Sequence, residues 1–225
     1  MSLVLTLLFA PVIAVIAILV RLTSDGPVLY SQVRAGHNGR PFRIYKIRTM
    51  YHDCERLTGP QWCKDDDPRI TPLGQFLRKA HLDEFPQVWN VLKGEMSRVG
   101  PRPERPEFVA QLKKVFPRYL ERLQVRPGLT GLAQVNLAPD VDEESVGRKL
   151  IHDFHYIENR TLAIDLKILV CTGFFLVGIP FTASVRLFSL YTYDDPLKPA
   201  PLKTEGRARP LDPLELERFA PSRTA

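Results

Sequence analysis

Between Arg78 and Arg105 the chain reads RKAHLDEFPQVWNVLKGEMSRVGPRPER. Two adjacent carboxylates, Asp83 and Glu84, stand among Arg78, Lys79, Arg98, Arg102 and Arg105. Carboxylate oxygens suit a hard divalent ion such as Mg²⁺, and guanidinium forks take phosphate oxygens in pairs. Pro101, Pro103 and Pro106 restrict the loop that carries the later arginines. Together these types point to a site that handles a diphosphate with a divalent cation, Asp83 and Glu84 being its metal ligands. Taken singly, Asp83 also reads as a helix cap. Asp is a favoured N-cap, Leu82, Phe85, Val88, Trp89 and Leu92 share an apolar face, and Gly94 suits the helix end. Either way, a carboxylate pair falls at the positive end of a helix dipole.

Two shorter stretches fit the same chemistry. Arg126-Pro127-Gly128-Leu129-Thr130-Gly131 joins a cation to two glycines, whose N–H groups can approach an anion closely. Lys46 and Arg48 close a strand-like segment with two cations. Other chemistries find no support. Neither GxxxxGK[ST] nor GxGxxG occurs. A zinc site from His52, Cys54 and Cys63 lacks CxxC spacing, and three cysteines make no disulfide framework. His152 and His155 read as an ordinary polar helix face, and Asn159-Arg160-Thr161 as a chance sequon.

The elements that must position these residues can be read from patterning. Leu3–Val20 is almost wholly apolar, and as a helix it would run roughly 27 Å, near the ~30 Å hydrocarbon core. It lacks the basic lead and small-residue cleavage site of a signal peptide. Pro11 interrupts it, which fits either a kinked span or a re-entrant helix. Arg21 and the cations after it favour the cytoplasmic side for the chain beyond this helix. Residues 28–30 and 42–45 are strand-like around a Gly36–Gly39 turn. Residues 73–93 form a helix in two pieces, 94–106 an irregular loop, 107–124 a helix, 125–136 a glycine-broken loop and 146–159 a helix. The apolar run within 164–181 is short for a span and suits an interfacial, re-entrant or buried helix. From Asp194 onward proline and charge dominate.

In 225 residues with net charge +6 and pI near 9.3, this basic balance favours polyanions, whether nucleic acid, anionic lipid or phosphate substrates. The membrane-seeking segments leave nucleic acid without a role.

Four stretches, GPVLYSQVRAGHNGRPFRIYKIRTM, DPRITPLGQFLRKAHLDEFPQVWNVLKGEMSRVGPRP, VRPGLTGLAQVN and YIENRTLAIDLKIL, occur in an order that carries a resemblance. The chain resembles the bacterial sugar transferases, monotopic polyprenol-phosphate phosphoglycosyl transferases, up to about Tyr193. The resemblance implies an Asp nucleophile at Asp83 that attacks the β-phosphorus of a UDP-sugar and releases UMP. Polyprenol phosphate then takes the phosphosugar from the covalent intermediate. Glu84 would be the metal ligand or the polyprenol-phosphate base, and Mg²⁺ the cofactor. Arg102 of GPRP would bind phosphate, with Arg78, Lys46 and Arg126 as further phosphate contacts. The family's N-terminal helix is re-entrant and broken at Ser-Pro, here Ala10-Pro11.

Patterning and resemblance give one expected architecture. It is an α+β fold, mostly helical with a small β-hairpin, plus a re-entrant helix broken at Pro11 and interfacial amphipathic helices. Residues 1–24 are the membrane helix, 25–193 the catalytic domain on the cytoplasmic face of the bacterial inner membrane, and 194–225 a tail. The chain resembles either the minimal catalytic form of the family or a piece of a longer member. Glu104–Phe108 (ERPEF) looks like the exopolysaccharide branch, which hints at a hexose-1-phosphate donor. The partners are a UDP-sugar, polyprenol phosphate and the bilayer; the oligomeric state stays open, a homodimer included. The rival readings are a non-catalytic membrane-associated binding protein and a Mg²⁺-dependent lipid-diphosphate phosphatase.

Overall fold

A computed structural model of the chain describes residues 2–55, 59, 61, 67–138 and 142–192. Cys63, most of the acidic run at 65–67, and the tail from 194 lie outside the described residues. The chain divides into two compact units, Met1–Val33 with Arg43–Met96 and Arg34–Phe42 with Ser97–Ala225.

The first unit opens with α1, Ser2–Thr23, a helix that runs through Pro11. Among the described residues, no helix is long and apolar enough to cross a membrane. Ile16 and Val20, one turn apart, bury against Ile47 and Leu77, with Val28, Leu73 and Leu82 packed alongside. Val15, Ile18, Leu19 and Leu22 remain exposed, so α1 keeps a bare apolar face. Its end is fastened by Arg48, whose guanidinium donates to the Ser24 and Asp25 carbonyls and to Ser24 Oγ. Gly26, at φ +103°, lies where any Cβ would collide with Arg48 and His52. Arg48 therefore ties off a helix end; it is not the second phosphate-facing cation that its place beside Lys46 suggests.

Strands β1 (Leu29–Ala35) and β2 (Pro41–Ile47) pair as expected and run longer than the apolar residues alone imply. The connecting turn closes with Gly36 N–H donating to Arg40 O at 2.9 Å, and Asn38 and Gly39 take positive φ. Helix α2 (Pro72–Lys79) starts at Thr71, whose hydroxyl accepts from Gly74 N–H at 2.9 Å, with Pro72 in the first turn. A 3₁₀ turn, Leu82–Gln87, leads into α3, Val88–Leu92. The single apolar face expected across this segment is not formed. The winding changes at Val88, so the 3.6-residue phase breaks. Trp89 stands 55% exposed and Leu92 is exposed, with Lys93 Nζ 5.8 Å from the Trp89 ring and 5.4 Å from the Tyr45 ring.

The second unit is built on β3 (Ser97–Val99) and β4 (Gly128–Thr130), paired in parallel with Ser97 opposite Gly128. Both strands fall in stretches that read as loops. Each has three residues, too few for a pattern, and its partner lies far along the chain. The single helix expected over 107–124 is two elements. Helix α4 (Pro106–Val115) stops because Phe116 precedes Pro117 and is pushed to an extended conformation, φ −115° and ψ 101°. A 3₁₀ helix, Tyr119–Gln124, comes next.

Helix α5 (Leu132–Asn136) leads to α6 (Glu143–Asn159), which a capping box between Asp142 and Ser145 starts. Helices α7 (Leu162–Leu176) and α8 (Phe181–Leu187) complete the unit. The core joins Val99, Leu132, Val135, Tyr156, Ile168, Cys171, Val185 and Leu190. Tyr156 Oη donates to Asp165 Oδ1 at 2.8 Å, and the Thr130 and Thr172 hydroxyls meet at 2.8 Å. The opposite side of α7 and α8 is apolar and bare: Leu162 is 75% exposed, and Leu166, Val170, Leu176, Val177 and Leu187 are exposed too. Exposed apolar side chains thus gather on one side of this helix pair.

Candidate active site

Asp83 and Glu84 occupy the second and third positions of the 3₁₀ turn. The cap residue is His81, in the left-handed region at φ 53°, and its side chain makes no cap bond. Asp83 is therefore no N-cap. A non-glycine residue at positive φ is uncommon and costs about 1 kcal/mol, so packing must hold it there. Leu82 supplies that packing against the Ile47–Leu77 cluster. The sharp reversal after α2 carries the carboxylates directly behind it. Asp83 ends 6% exposed.

Glu84 Oε1 accepts from Lys46 Nζ at 2.6 Å, with both side chains largely buried. Lys46 sits on β2, whose alternation buries Ile47 and presents Lys46 on the other side. Arg78, in the last turn of α2, donates from Nε to Thr49 Oγ1 at 2.7 Å. The first unit thus gathers Asp83, Glu84 and Lys46 at one place and fixes Arg78 at the end of the preceding helix. Removing the ammonium leaves a mostly buried carboxylate without its cation. Lys46→Met is therefore expected to destabilise the protein by about 1–2 kcal/mol, and Lys46→Arg by less, as measured by denaturant unfolding.

Arg102 and Arg126 belong to the second unit. Arg102 is half-buried beside Pro101, Pro103 and Arg122, and Arg126 is exposed. The first glycine after Arg126 has its N–H already committed. Gly128 N–H donates to Pro101 O at 2.9 Å, and a Cβ on Gly100, Gly128 or Gly131 would strike neighbouring backbone. They are glycines because backbone packs on backbone there. Arg105 starts α4 and lies over the Phe108 ring at 5.6 Å.

The profile of bacterial sugar transferases matches residues 1–178. The chain belongs to the bacterial sugar transferase family. Among curated relatives it is 44% identical over 175 residues to a UDP-N-acetylgalactosamine-undecaprenyl-phosphate N-acetylgalactosaminephosphotransferase of Aeromonas hydrophila, covering 74% of this chain and 41% of that one. It is 43% identical over 172 residues to a UDP-glucose:undecaprenyl-phosphate glucose-1-phosphate transferase of Caulobacter vibrioides, covering 75% and 63%. An exopolysaccharide production protein of Rhizobium leguminosarum is 38% identical over 171 residues, covering 74% and 86%. The chain thus spans less than two thirds of the length of the first two relatives.

For a bacterial sugar transferase, the donor set at Asp83 and Glu84 is consistent with Mg²⁺. Among the described residues no group of three or more His, Cys, Asp or Glu is arranged to hold a metal. Two adjacent carboxylates suit an ion that keeps several waters and shares substrate phosphates, as Mg²⁺ does. His152 and His155 are not ligands: His152 Nδ1 lies 3.0 Å from Arg148 O, and His155 stacks on Tyr191 at 3.8 Å. Burial holds His155 below the usual imidazole range.

Two buried polar residues have no sequence signature. Asn90 is fully buried and donates to Arg43 O at 2.6 Å and Glu95 Oε2 at 2.7 Å. Arg122 is buried against Asp153 at 2.8 Å. Nothing local distinguishes either from a surface residue on a helix; only the partners reveal that they are buried.

Proposed function

We propose that this chain carries the catalytic activity of a phosphoglycosyl transferase that moves a sugar-1-phosphate from a UDP-sugar to undecaprenyl phosphate. The observation that carries this reading is the dyad itself. Asp83 lies inside the protein on a strained turn, next to a Glu84 already paired with a lysine, in a chain of this family.

In this reading an Asp83 oxygen forms a bond to the β-phosphorus. The bond from that phosphorus to the bridging oxygen breaks, and UMP leaves with the bridging oxygen. An oxygen of undecaprenyl phosphate then attacks the aspartyl phosphosugar, the bond between phosphorus and Asp83 breaks, and the carboxylate is restored. Splitting the transfer lets two bulky substrates use one site in turn. Positioning and charge stabilisation do most of the remaining work. Lys46 holds Glu84 in place, leaving Glu84 to bind metal or to orient the acceptor phosphate. Arg102, Arg78 and Arg126 are the cations for phosphate. Mg²⁺ bound at Asp83 and Glu84 would offset diphosphate charge.

The exposed apolar faces of α1 and of α7–α8 support residence at the bilayer, where the acceptor's phosphate sits at headgroup level. In this reading α1 is re-entrant at Pro11 and the catalytic residues face the cytoplasm. An enzyme that meets a lipid-borne phosphate need only reach the interface.

The test uses purified protein with undecaprenyl phosphate and a panel of UDP-sugars. UMP release is expected for at least one sugar, to stop with EDTA, and to return with Mg²⁺. Release of inorganic phosphate from a lipid diphosphate, without UMP, would instead identify a phosphatase.

A further inference from the structure

The loop that carries Arg102 is held carbonyl by carbonyl. Pro101 O accepts from Gly128 N–H at 2.9 Å, and Arg102 O from Arg122 Nη2 at 3.0 Å. Pro103 O accepts from Arg34 Nη1 at 3.2 Å, and Glu104 O from Ala35 N–H at 2.8 Å. Four consecutive carbonyls are thus bound by donors from three separate stretches of chain. Prolines at 101 and 103 have fixed φ but no N–H, so the loop's carbonyls must supply most of its anchors. Fixing a carbonyl fixes ψ. Proline and carbonyl bonds together leave Arg102 little backbone freedom.

Arg122 bears the greatest desolvation of these donors. It is 7% exposed, donates from Nε to Asp153 Oδ2 at 3.0 Å and from Nη1 to Tyr119 Oη at 2.9 Å, and lies 5.3 Å from the Tyr119 ring centre. Asp153 is itself almost fully buried. A buried ion pair of this kind adds little to stability, since well-packed apolar residues commonly do as well. What an apolar pair lacks is a donor for Arg102 O.

We propose that Arg122, braced by Asp153, and Arg34 are positioning residues that preorganise Arg102 for a nucleoside diphosphate. This rests on the reading that Arg102 binds phosphate. Preorganisation places the guanidinium before the ligand arrives, and misplacement by about an ångström costs on the order of a hundredfold.

The test measures UDP affinity by calorimetry on purified full-length protein in detergent. The variants are Arg102→Ala, Arg122→Lys, Arg34→Met, and each of the latter two combined with Arg102→Ala. A dissociation constant reads only folded protein, so a merely structural role would leave it unchanged. Arg102→Ala is expected to weaken UDP roughly tenfold to a hundredfold. Arg122→Lys can still meet Asp153 but cannot reach three partners at once, and is expected to weaken UDP about tenfold. Arg34→Met should behave similarly, and it carries the test should the Arg122 variant fail to fold. In the Arg102→Ala background neither change should weaken UDP further. Undiminished effects there, or none in the wild-type background, overturn the positioning role while leaving Arg102 as a phosphate ligand. No effect of Arg102→Ala overturns the phosphate reading, and the positioning proposal with it.

Discussion

Asp83→Asn is expected to abolish UMP release, by at least roughly three orders of magnitude, in a protein that still folds. Asn keeps the shape of the side chain and removes both its charge and its usable nucleophilic oxygen. The turn around it does not depend on an Asp83 cap, because His81 is the capping residue and Leu82 makes the packing contact. Loss of activity should therefore come with an unfolding transition close to the wild type's. A second measurement separates the nucleophile from a residue that merely binds metal. Wild-type protein incubated with the UDP-sugar alone should gain the mass of one phosphohexose, and Asp83→Asn should gain none. Normal turnover by the Asn variant would remove Asp83 as the nucleophile. Turnover by the wild type with no adduct under any donor concentration would point to direct transfer. Glu84→Gln provides the contrast: with Asp83 intact, the adduct should still form, more slowly.

The candidate dyad stands out in the sequence because its residues are consecutive. Asp83-Glu84 between two arginine groups is visible without a fold, and so are the helix Leu3–Val20 and the Gly36–Gly39 turn. What escaped was whatever depends on partners distant in the chain. The parallel pairing of Ser97–Val99 with Gly128–Thr130 joins three-residue strands that read as loop. Arg48, two residues beyond Lys46, goes to the end of α1, while Lys46 goes to Glu84. Strand alternation would put the two on one face, but β2 ends at Ile47 and Arg48 lies beyond it. Helix phase failed where winding changed: the apolar face running to Trp89 and Leu92 assumed 3.6 residues per turn across a segment that begins as 3₁₀. Proline chemistry marks the break at Pro117, where the residue before it leaves the helical region, although the apolar stripe runs on through the sequence.

The glycines of the second unit lead to the other large effect. A Cβ on Gly128 would fall against the backbone nitrogen of Gly100 and the carbonyl of Thr130, closer than real Cβ atoms approach anything. Backbone cannot swing aside as a long side chain does, so β3 and β4 must separate or shift. Gly128→Ala is expected to cost about 3 kcal/mol or more, the upper range for overpacking, read as a lowered denaturation midpoint. The same shift would break the bond from Gly128 N–H to Pro101 O and loosen the loop of Arg102. UDP affinity should therefore fall even in the fraction that remains folded. Gly173→Ala is the matched control, since it lies inside α7 with nothing within 4 Å of the added methyl. There the change should be neutral or stabilising by up to about 1 kcal/mol, because alanine is the better helix former. Equal destabilisation at both positions would mean that the close backbone contact at Gly128 is not what requires glycine. Opposite signs would show that the short parallel pair, too brief to be seen in the sequence, is the frame on which the arginine loop rests.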